Sequence, residues 1–219
     1  MLMKTVQHPT FIFDLDGVIT KTEAYHFEAW KETAAFLEYE ISPADNEALK
    51  GVSRVDSLKK IVKWAGKEVS PQTFDRLLEE KNERYLGLLS SLSEEDIMEG
   101  VHQFMLEAKE KNHPIALYSS SKNAKLILTK LNIIHLFDVL VDGNDVTRSK
   151  PDPEGFELAA NQSKTSPKDC VVFEDSTAGI EAANAIGMTT VGIGDIESLS
   201  IASRVCKNFK EISLNDFKL

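Results

Sequence analysis

The sequence has little cysteine and no long apolar run. Cys170 and Cys206 are its two cysteines, and they fit neither a CxxC motif nor a metal-ligand spacing. A disulfide scaffold is therefore excluded, and a reducing compartment is favoured. No apolar run approaches the about 18 residues needed to cross a bilayer. Residues 1–10 contain Lys4 but no apolar core of a signal peptide, so we expect a cytoplasmic protein without a membrane partner.

Basic residues are scarce relative to acidic ones. The 219 residues include 25 Lys and Arg against 35 Asp and Glu, which gives a net charge of −10. This surplus argues against nucleic acid or an anionic membrane surface as a partner. A phosphate ligand would need basic groups concentrated at one site. The hydrophobic fraction of 42% is ordinary for a globular chain with its own core.

Short apolar runs alternate with helical segments after residue 100. We predict a first strand within residues 10–19, which ends in a polar turn, and later strands at 115–121, 138–141, 170–175 and 189–194. Strands that alternate with helices indicate βαβ units and a parallel sheet covered on both faces. The predicted fold class is therefore α/β, with a doubly wound, Rossmann-like parallel-sheet core.

The block at residues 21–99 is different, because it is helical and charged and contains no convincing strand. Ser42-Pro43 and Ser70-Pro71 are typical of a helix N-cap followed by proline in the first turn. We predict an inserted all-α cap domain at 21–98. It would divide the α/β core into the segments 1–20 and 99–219.

Polar residues that follow the predicted strands are the candidates for chemistry, because open α/β sheets bind ligands at the carboxyl ends of their strands. They are Asp14, Asp16, Ser119 to Ser121, Asp142, Lys150, Glu174 and Asp175. Converging carboxylates repel one another, and Mg²⁺, which prefers oxygen ligands and also binds phosphate, relieves that repulsion. The pattern predicts phosphoryl transfer, with Asp14 as a nucleophile that forms an aspartyl phosphate and Asp16 as the acid/base.

Each of these motifs also has a purely structural interpretation. Asp16-Gly17 is a common turn dipeptide, and Ser119 to Ser121 could cap the following helix. Lys150 before Pro151 is typical of a solvated loop, and Glu174-Asp175-Ser176 could be an N-cap cluster whose acids stabilise a helix dipole. Their joint occurrence at predicted strand ends favours the functional interpretation.

Four motifs in the chain resemble those of the haloacid dehalogenase superfamily, in their usual order. They are FIFDLDGV, the strand-end Ser119, Lys150-Pro151 with Pro153, and FEDSTAGIEAA, and they extend from residue 11 to 183. The resemblance implies a Rossmann-like core with a helical cap, Asp14 as nucleophile and Asp16 as acid/base. It implies that Ser119 and Lys150 bind phosphate. It also implies that Asp14, the backbone carbonyl of Asp16, Glu174 and Asp175 hold Mg²⁺.

Further segments resemble the β-phosphoglucomutases of that superfamily: DLDGVITKTEAYHFEAW, LKGVSRVDSL, EEKNERY and SSSKN. This resemblance implies interconversion of β-glucose 1-phosphate and glucose 6-phosphate through β-glucose 1,6-bisphosphate. The residues implied to bind the phosphorylated sugar are Trp30, Gly51, Val52, Ser53, Arg54, Ser121, Lys122 and Asn123. Thr22, His26 and Lys81 are implied to position Asp16 and the hinge. Ser120 departs from the pattern, since a small apolar residue is expected there.

A mutase that turns a bisphosphate around needs a second anion site, and an arginine such as Arg54 suits one. Core packing would explain Trp30 equally well, and solvation would explain Arg54 and Lys81. A sugar-phosphate phosphatase with the same catalytic residues remains an alternative. A non-enzymatic, receiver-like phospho-acceptor module is a remote one, because such modules lack a helical insertion after the first strand. We expect a monomer, since the cap must swing.

Overall fold

The core of the protein is a parallel β-sheet, as seen in a computed structural model that describes residues 8–217. The strands are β1 (Thr10–Phe13), β2 (Ile115–Tyr118), β3 (Val139–Val141), β4 (Cys170–Glu174), β5 (Thr189–Ile193) and β6 (Arg204–Cys206). Within the described residues their order is β3-β2-β1-β4-β5-β6, and every neighbouring pair is parallel. The predicted doubly wound α/β class is confirmed. Lys4, on which part of the leader expectation rests, lies outside the described residues.

The central strand β1 is buried on both faces. Phe11 and Phe13 pack on one side of the sheet with Phe104 and Phe173, whereas Ile12 belongs to the cluster on the other side. This double burial explains why the strand reads as a continuous apolar run. The helices α5 (Val101–Glu110), α6 (Ala124–Lys130), α7 (Glu154–Gln162) and α8 (Thr177–Asn184) connect the later strands.

Four helices lie between β1 and α5. They are α1 (Glu23–Phe36), α2 (Pro43–Glu47), α3 (Arg54–Trp64) and α4 (Pro71–Leu88). The predicted caps are confirmed, since Ser42 accepts from the amide of Asp45 and Ser70 from that of Thr73. The helices share an apolar cluster that includes Trp30. The domain boundaries at 20/21 and 98/99 stay a prediction.

The first strand is shorter than the apolar run that predicts it. β1 ends at Phe13, and residues 14–20 form a tight turn in which the amide of Ile19 donates to the carbonyl of Leu15 at 2.9 Å. Gly17 has φ +78, a conformation that strongly favours glycine. The polar turn thus begins directly after four buried residues. No helix within residues 8–217 combines the length and apolar character needed to span a membrane.

Candidate active site

A cavity of about 310 Å³ lies between the carboxyl ends of the strands and the helices α1, α3 and α4. This volume is at the lower end of the range for small-molecule sites. Most predicted site residues line it: Asp14, Asp16, His26, Trp30, Gly51, Val52, Ser53, Arg54, Lys81, Ser119, Ser121, Lys122, Asn123 and Asp175. Four candidates do not line it, namely Thr22, Asp142, Lys150 and Glu174, and all four are buried.

Lys150 forms salt bridges with Asp14 and Glu174 at the base of the cleft. Its Nζ lies 2.5 Å from Asp14 Oδ1 and 2.5 Å from Glu174 Oε1, and it is 1% exposed. Burial disfavours the ammonium, but the charges of Asp14 and Glu174 outweigh this and raise the pKa of Lys150. The backbone fixes the geometry, because the Asp14 amide extends the β1–β4 ladder by donating to the carbonyl of Phe173 at 2.9 Å. Lys150 is therefore a buried charged residue and not a solvated loop lysine.

Asp14, Glu174 and Asp175 each offer an oxygen atom, and these atoms lie within 4.8 Å of one another. Burial raises the pKa of Asp14 to about 8, and burial together with the charges of Glu174 and Asp14 raises the pKa of Asp175 well above its ordinary value. In both cases the neighbouring carboxylates add to the effect of burial, so these groups repel one another when ionised. A set of oxygen donors of this kind fits Mg²⁺.

Glu174 is held in place by the start of α8. The amide of Ser176 donates to Glu174 Oε2 at 2.7 Å, and the Ser176 hydroxyl donates to the same oxygen at 2.8 Å. Ser176 in turn caps α8 by accepting from the amide of Gly179. A Cβ on Gly179 would lie 1.9 Å from Glu174 Oε1, so this glycine leaves the space that the carboxylate occupies. The helix-cap interpretation of this motif is thus correct for Ser176, and it coexists with the acid cluster.

Asp16 is surrounded by groups from α1 and α4. The Thr22 hydroxyl donates to its Oδ1, and His26 Nε2 lies 3.5 Å from the same oxygen. Tyr85 donates to it at 3.5 Å and stacks on His26 with ring centroids 4.0 Å apart. Burial opposes ionisation of Asp16, but His26, Thr22 and Lys81 together lower its pKa. The carboxylate is therefore held ionised at the cleft.

Lys81 is a buried lysine without a carboxylate partner among residues 8–217. Its Nζ lies 2.8 Å from His26 Nδ1, and the ring centroids of Trp30 and Tyr85 lie 4.8 Å and 4.7 Å away. Burial and the charge of Arg54 lower the pKa of Lys81 to about 7. Trp30 therefore both packs in the helical cluster and faces this ammonium.

A second group of cations faces the cleft. Arg54 lies in the first turn of α3. Burial lowers the pKa of its guanidinium, and no carboxylate in the described part of the chain raises it. Across the cleft, Ser121 accepts from the amide of Asn123 at 3.2 Å, and Asn123 donates to Asn82 of α4 at 3.0 Å. Arg54 and Lys122 thus line the same cavity, and neither forms a salt bridge in the described part of the chain.

Asp142 does not belong to the acid cluster, although its position after β3 predicts a place there. Its Oδ1 accepts from the amide of Asn144 at 2.8 Å and from Asn144 Nδ2 at 2.9 Å. The carboxylate therefore closes its own loop, as aspartate commonly does in an Asx turn.

The residues at the cleft that the sequence interpretation missed include Tyr85 and Lys50. Tyr85 follows Lys81 by four residues on α4, so the helical i, i+4 spacing was a signal that could have found it. Lys50 reaches the acid cluster with its Nζ 3.8 Å from Asp175 Oδ2. No local pattern marks Lys50, because the contact depends on how the helices between β1 and α5 are placed over the sheet.

Most of the chain is similar to known proteins. A family model described as haloacid dehalogenase-like hydrolase matches residues 8–187. The chain is 40% identical over 205 residues to a β-phosphoglucomutase of Bacillus subtilis, a match that covers 93% of this chain and 91% of that protein. It is 32% identical over 190 residues to a fructose-1-phosphate phosphatase of Escherichia coli, with 83% and 94% covered. A crystal structure of a β-phosphoglucomutase from Clostridium difficile superposes with a TM-score of 0.92 at 36% identity, covering 96% of this chain and 95% of that one.

Proposed function

Since the chain belongs to the haloacid dehalogenase-like hydrolase family, we propose that it acts as a β-phosphoglucomutase, which converts β-glucose 1-phosphate to glucose 6-phosphate through β-glucose 1,6-bisphosphate. The similarity to mutases from two organisms supports this function. The observation that carries it is that Arg54 and Lys122 line the cleft and that neither forms a salt bridge within residues 8–217, an arrangement that suits a second anion site. A mutase must hold a phosphate away from the reacting one, whereas a phosphatase need not.

In the proposed reaction Asp14 carries the phosphoryl group. The C6 hydroxyl oxygen of β-glucose 1-phosphate attacks the phosphorus of the aspartyl phosphate, the bond to the Asp14 oxygen breaks, and Asp16 accepts the hydroxyl proton. The bisphosphate then turns around, the Asp14 carboxylate attacks the C1 phosphorus, and Asp16 returns the proton to the C1 oxygen. Glucose 6-phosphate leaves, and Asp14 is phosphorylated again.

Other residues of the cleft hold the reacting groups. Ser119 and Lys150 would bind the transferring phosphate, and the charge of Lys150 would favour the ionised, nucleophilic form of Asp14, which burial disfavours. Thr22, His26 and Lys81 would orient Asp16, and the loop at 51–53 with Trp30 would contact the sugar. Asp14, the Asp16 carbonyl, Glu174 and Asp175 would hold Mg²⁺. The ion would neutralise charge on the phosphoryl oxygens. A monomer would suffice, because a single cap covers the cleft.

A ³¹P NMR time course with both anomers of glucose 1-phosphate, Mg²⁺ and a trace of bisphosphate tests the function. We expect the β-anomer to give glucose 6-phosphate with almost no inorganic phosphate. Inorganic phosphate as the main product would favour a sugar-phosphate phosphatase, the activity of the relative from Escherichia coli. Absence of turnover on either anomer would favour the non-enzymatic phospho-acceptor.

The Arg54→Ala variant tests the second anion site. A charge-assisted hydrogen bond contributes about 1.5–3 kcal/mol, so we expect kcat/KM for β-glucose 1-phosphate to fall by about 10- to 150-fold. Phosphorylation of Asp14 by acetyl phosphate, which has no distal phosphate, should change far less. Arg76→Ala is the matched control, because Arg76 is an exposed arginine of the same helical region that pairs with Glu80. Equal loss of both activities in Arg54→Ala would contradict the proposed role.

A further inference from the structure

Two serines of the α/β core bind one short segment on the far side of the cleft. Ser120 Oγ donates to the carbonyl oxygen of Gly51 at 2.6 Å, and Ser149 Oγ donates to Asp56 Oδ2 at 3.1 Å. We call these two hydrogen bonds the serine clasp. The bonds join parts of the chain 69 and 93 residues apart, so they form only when the helical region lies over the sheet.

Each clasp serine adjoins a residue of the proposed phosphate site. Ser120 follows Ser119, and Ser149 precedes Lys150. The position of each clasp hydroxyl is therefore tied to the floor of the cleft. Ser120 is also the position at which the family resemblance leads one to expect a small apolar residue, so this bond depends on a hydroxyl that the resemblance does not imply.

The clasped segment, residues 51–56, is stiff and carries Arg54. Ser53 caps α3 by accepting from the amide of Asp56 at 3.2 Å, and its hydroxyl donates to Asp56 Oδ2 at 2.7 Å. At the other end, Gly51 has φ +71, and a Cβ there would lie 2.5 Å from Ser176 Oγ. Arg54 is thus held between two clasped points, at 51 and 56, by backbone that has little freedom.

We propose that Ser120 and Ser149 are positioning residues, which hold the segment 51–56 down on the core and thereby place Arg54 over the phosphate site before substrate binds. This inference rests on the proposed function, because it assigns Arg54 to the phosphate that is not transferred. It adds two core hydroxyls that act on Arg54 through their hydrogen bonds to the segment 51–56. The clasp favours substrates long enough to reach Arg54 from the acid cluster.

The size of the effect follows from the number of bonds. Loss of one hydrogen bond changes an equilibrium by about 2- to 13-fold, which corresponds to a net contribution of about 0.5–1.5 kcal/mol. When the cap opens, Ser120 and Ser149 form hydrogen bonds with water instead of Gly51 and Asp56. The clasp therefore shifts the equilibrium towards the closed form by a small amount, and the cap can still open to exchange sugar phosphates. An enzyme whose closed form is less populated binds substrate more weakly in proportion.

The test uses Ser120→Ala, Ser149→Ala and the double variant in the full chain. We expect KM for β-glucose 1-phosphate to rise by about 2- to 13-fold in each single variant, because the closed form is less populated. Saturating substrate itself favours closure, so kcat should stay within about twofold of the wild type. Glu94→Ala is the matched control. Glu94, like the clasp acceptors, belongs to the helical region and accepts a hydrogen bond from the α/β core, from Asn132 at 2.9 Å. It lies on the exposed surface and does not line the cleft. It should leave both constants unchanged.

The coupling to Arg54 separates positioning from a general structural role. In an Arg54→Ala background we expect Ser120→Ala and Ser149→Ala to lose most of their effect on KM, since the group that they place is absent. Effects that persist in full in that background would overturn the proposal. So would unchanged KM values in a double variant whose urea unfolding midpoint matches that of the wild type.

A measurement without substrate keeps this inference separate from the mutase activity. Small-angle X-ray scattering of the ligand-free double variant should give a larger radius of gyration than the wild type and than Glu94→Ala. Equal radii for all three proteins would overturn the clasp. If the wild type released only inorganic phosphate from sugar phosphates, the mutase function would fail, while the scattering comparison would still decide whether the clasp exists.

Discussion

Replacement of Lys81 by methionine should stabilise the protein at neutral pH, by an amount that declines as the pH rises. Lys81 is 2% exposed, and its ammonium contacts an imidazole and two aromatic rings without a carboxylate partner in the described part of the chain. Burial and the charge of Arg54 lower its pKa from an ordinary 10.5 to about 7. Methionine retains most of the buried stem and removes the charge.

The pKa shift of Lys81 sets the magnitude. The folded-state pKa lies below the unfolded-state value, so between about pH 7 and pH 10.5 the unfolded chain binds one more proton than the folded chain. The free energy of unfolding of the wild type then rises by about 1.4 kcal/mol per pH unit from this residue. Below pH 7 the lysine is charged in both states, and the cost of burying it is fully present. Between pH 7 and pH 9 the wild type should recover about 2 kcal/mol, because the group is half-titrated at the lower limit.

Urea unfolding of both proteins at pH 7 and pH 9, followed by far-ultraviolet circular dichroism, measures this difference. The free energy of unfolding of Lys81→Met, relative to that of the wild type, should be about 2 kcal/mol smaller at pH 9 than at pH 7. Lys63→Met on the exposed side of α3 is the control, and its difference from the wild type should be the same at both pH values. The reasoning would be refuted if the difference in free energy of unfolding between Lys81→Met and the wild type stayed constant or grew with pH. Sugar-phosphate turnover should fall in Lys81→Met, since stability and activity trade off at such sites.

Four further outcomes are expected. Asp14→Asn should lower turnover by at least about 1,000-fold in the ³¹P assay, and substantial residual activity would contradict its role as nucleophile. Removal of Mg²⁺ with a chelator should abolish turnover and re-addition should restore it, whereas activity that resists chelation would exclude the proposed metal site. Gly179→Ala should weaken Mg²⁺ affinity by about 10- to 100-fold, measured by titration of activity, because its Cβ would displace Glu174. Gly87→Ala meets nothing within 4 Å and should instead raise the free energy of unfolding by about 0.5–1 kcal/mol.

The sequence was sufficient to predict the floor of the cleft. Parallel strands end at one edge of a sheet, so residues that follow different strands must converge if the strands are correctly recognised. Asp14, Ser119 and Glu174 each follow or end a strand that reads as a short apolar run. Asp142 shows the limit of this reasoning. It follows a strand, but its carboxylate accepts hydrogen bonds from Asn144 two residues later and therefore does not join the acid cluster.

Contacts across the cleft could not be predicted in the same way. Lys50, Ser120 and Ser149 reach partners that are distant in sequence, and their contacts depend on how the helices between β1 and α5 lie over the sheet. The strand β6 escaped prediction for a different reason. It spans only Arg204–Cys206 at the sheet edge, and such a short, half-exposed strand produces no apolar run.

The position of β1 also determines when the core can form during synthesis. Phe11 pairs with Ile115 on one side and with Val171 on the other, although β1 is translated first. At about 5–20 residues per second a ribosome needs about 5–20 seconds to reach the first partner strand and about 8–30 seconds to reach the second. The helices between β1 and α5 make local contacts and can assemble in this interval. β1, whose four residues are all buried in the folded protein, therefore stays unpaired and exposed until its partner strands have been made.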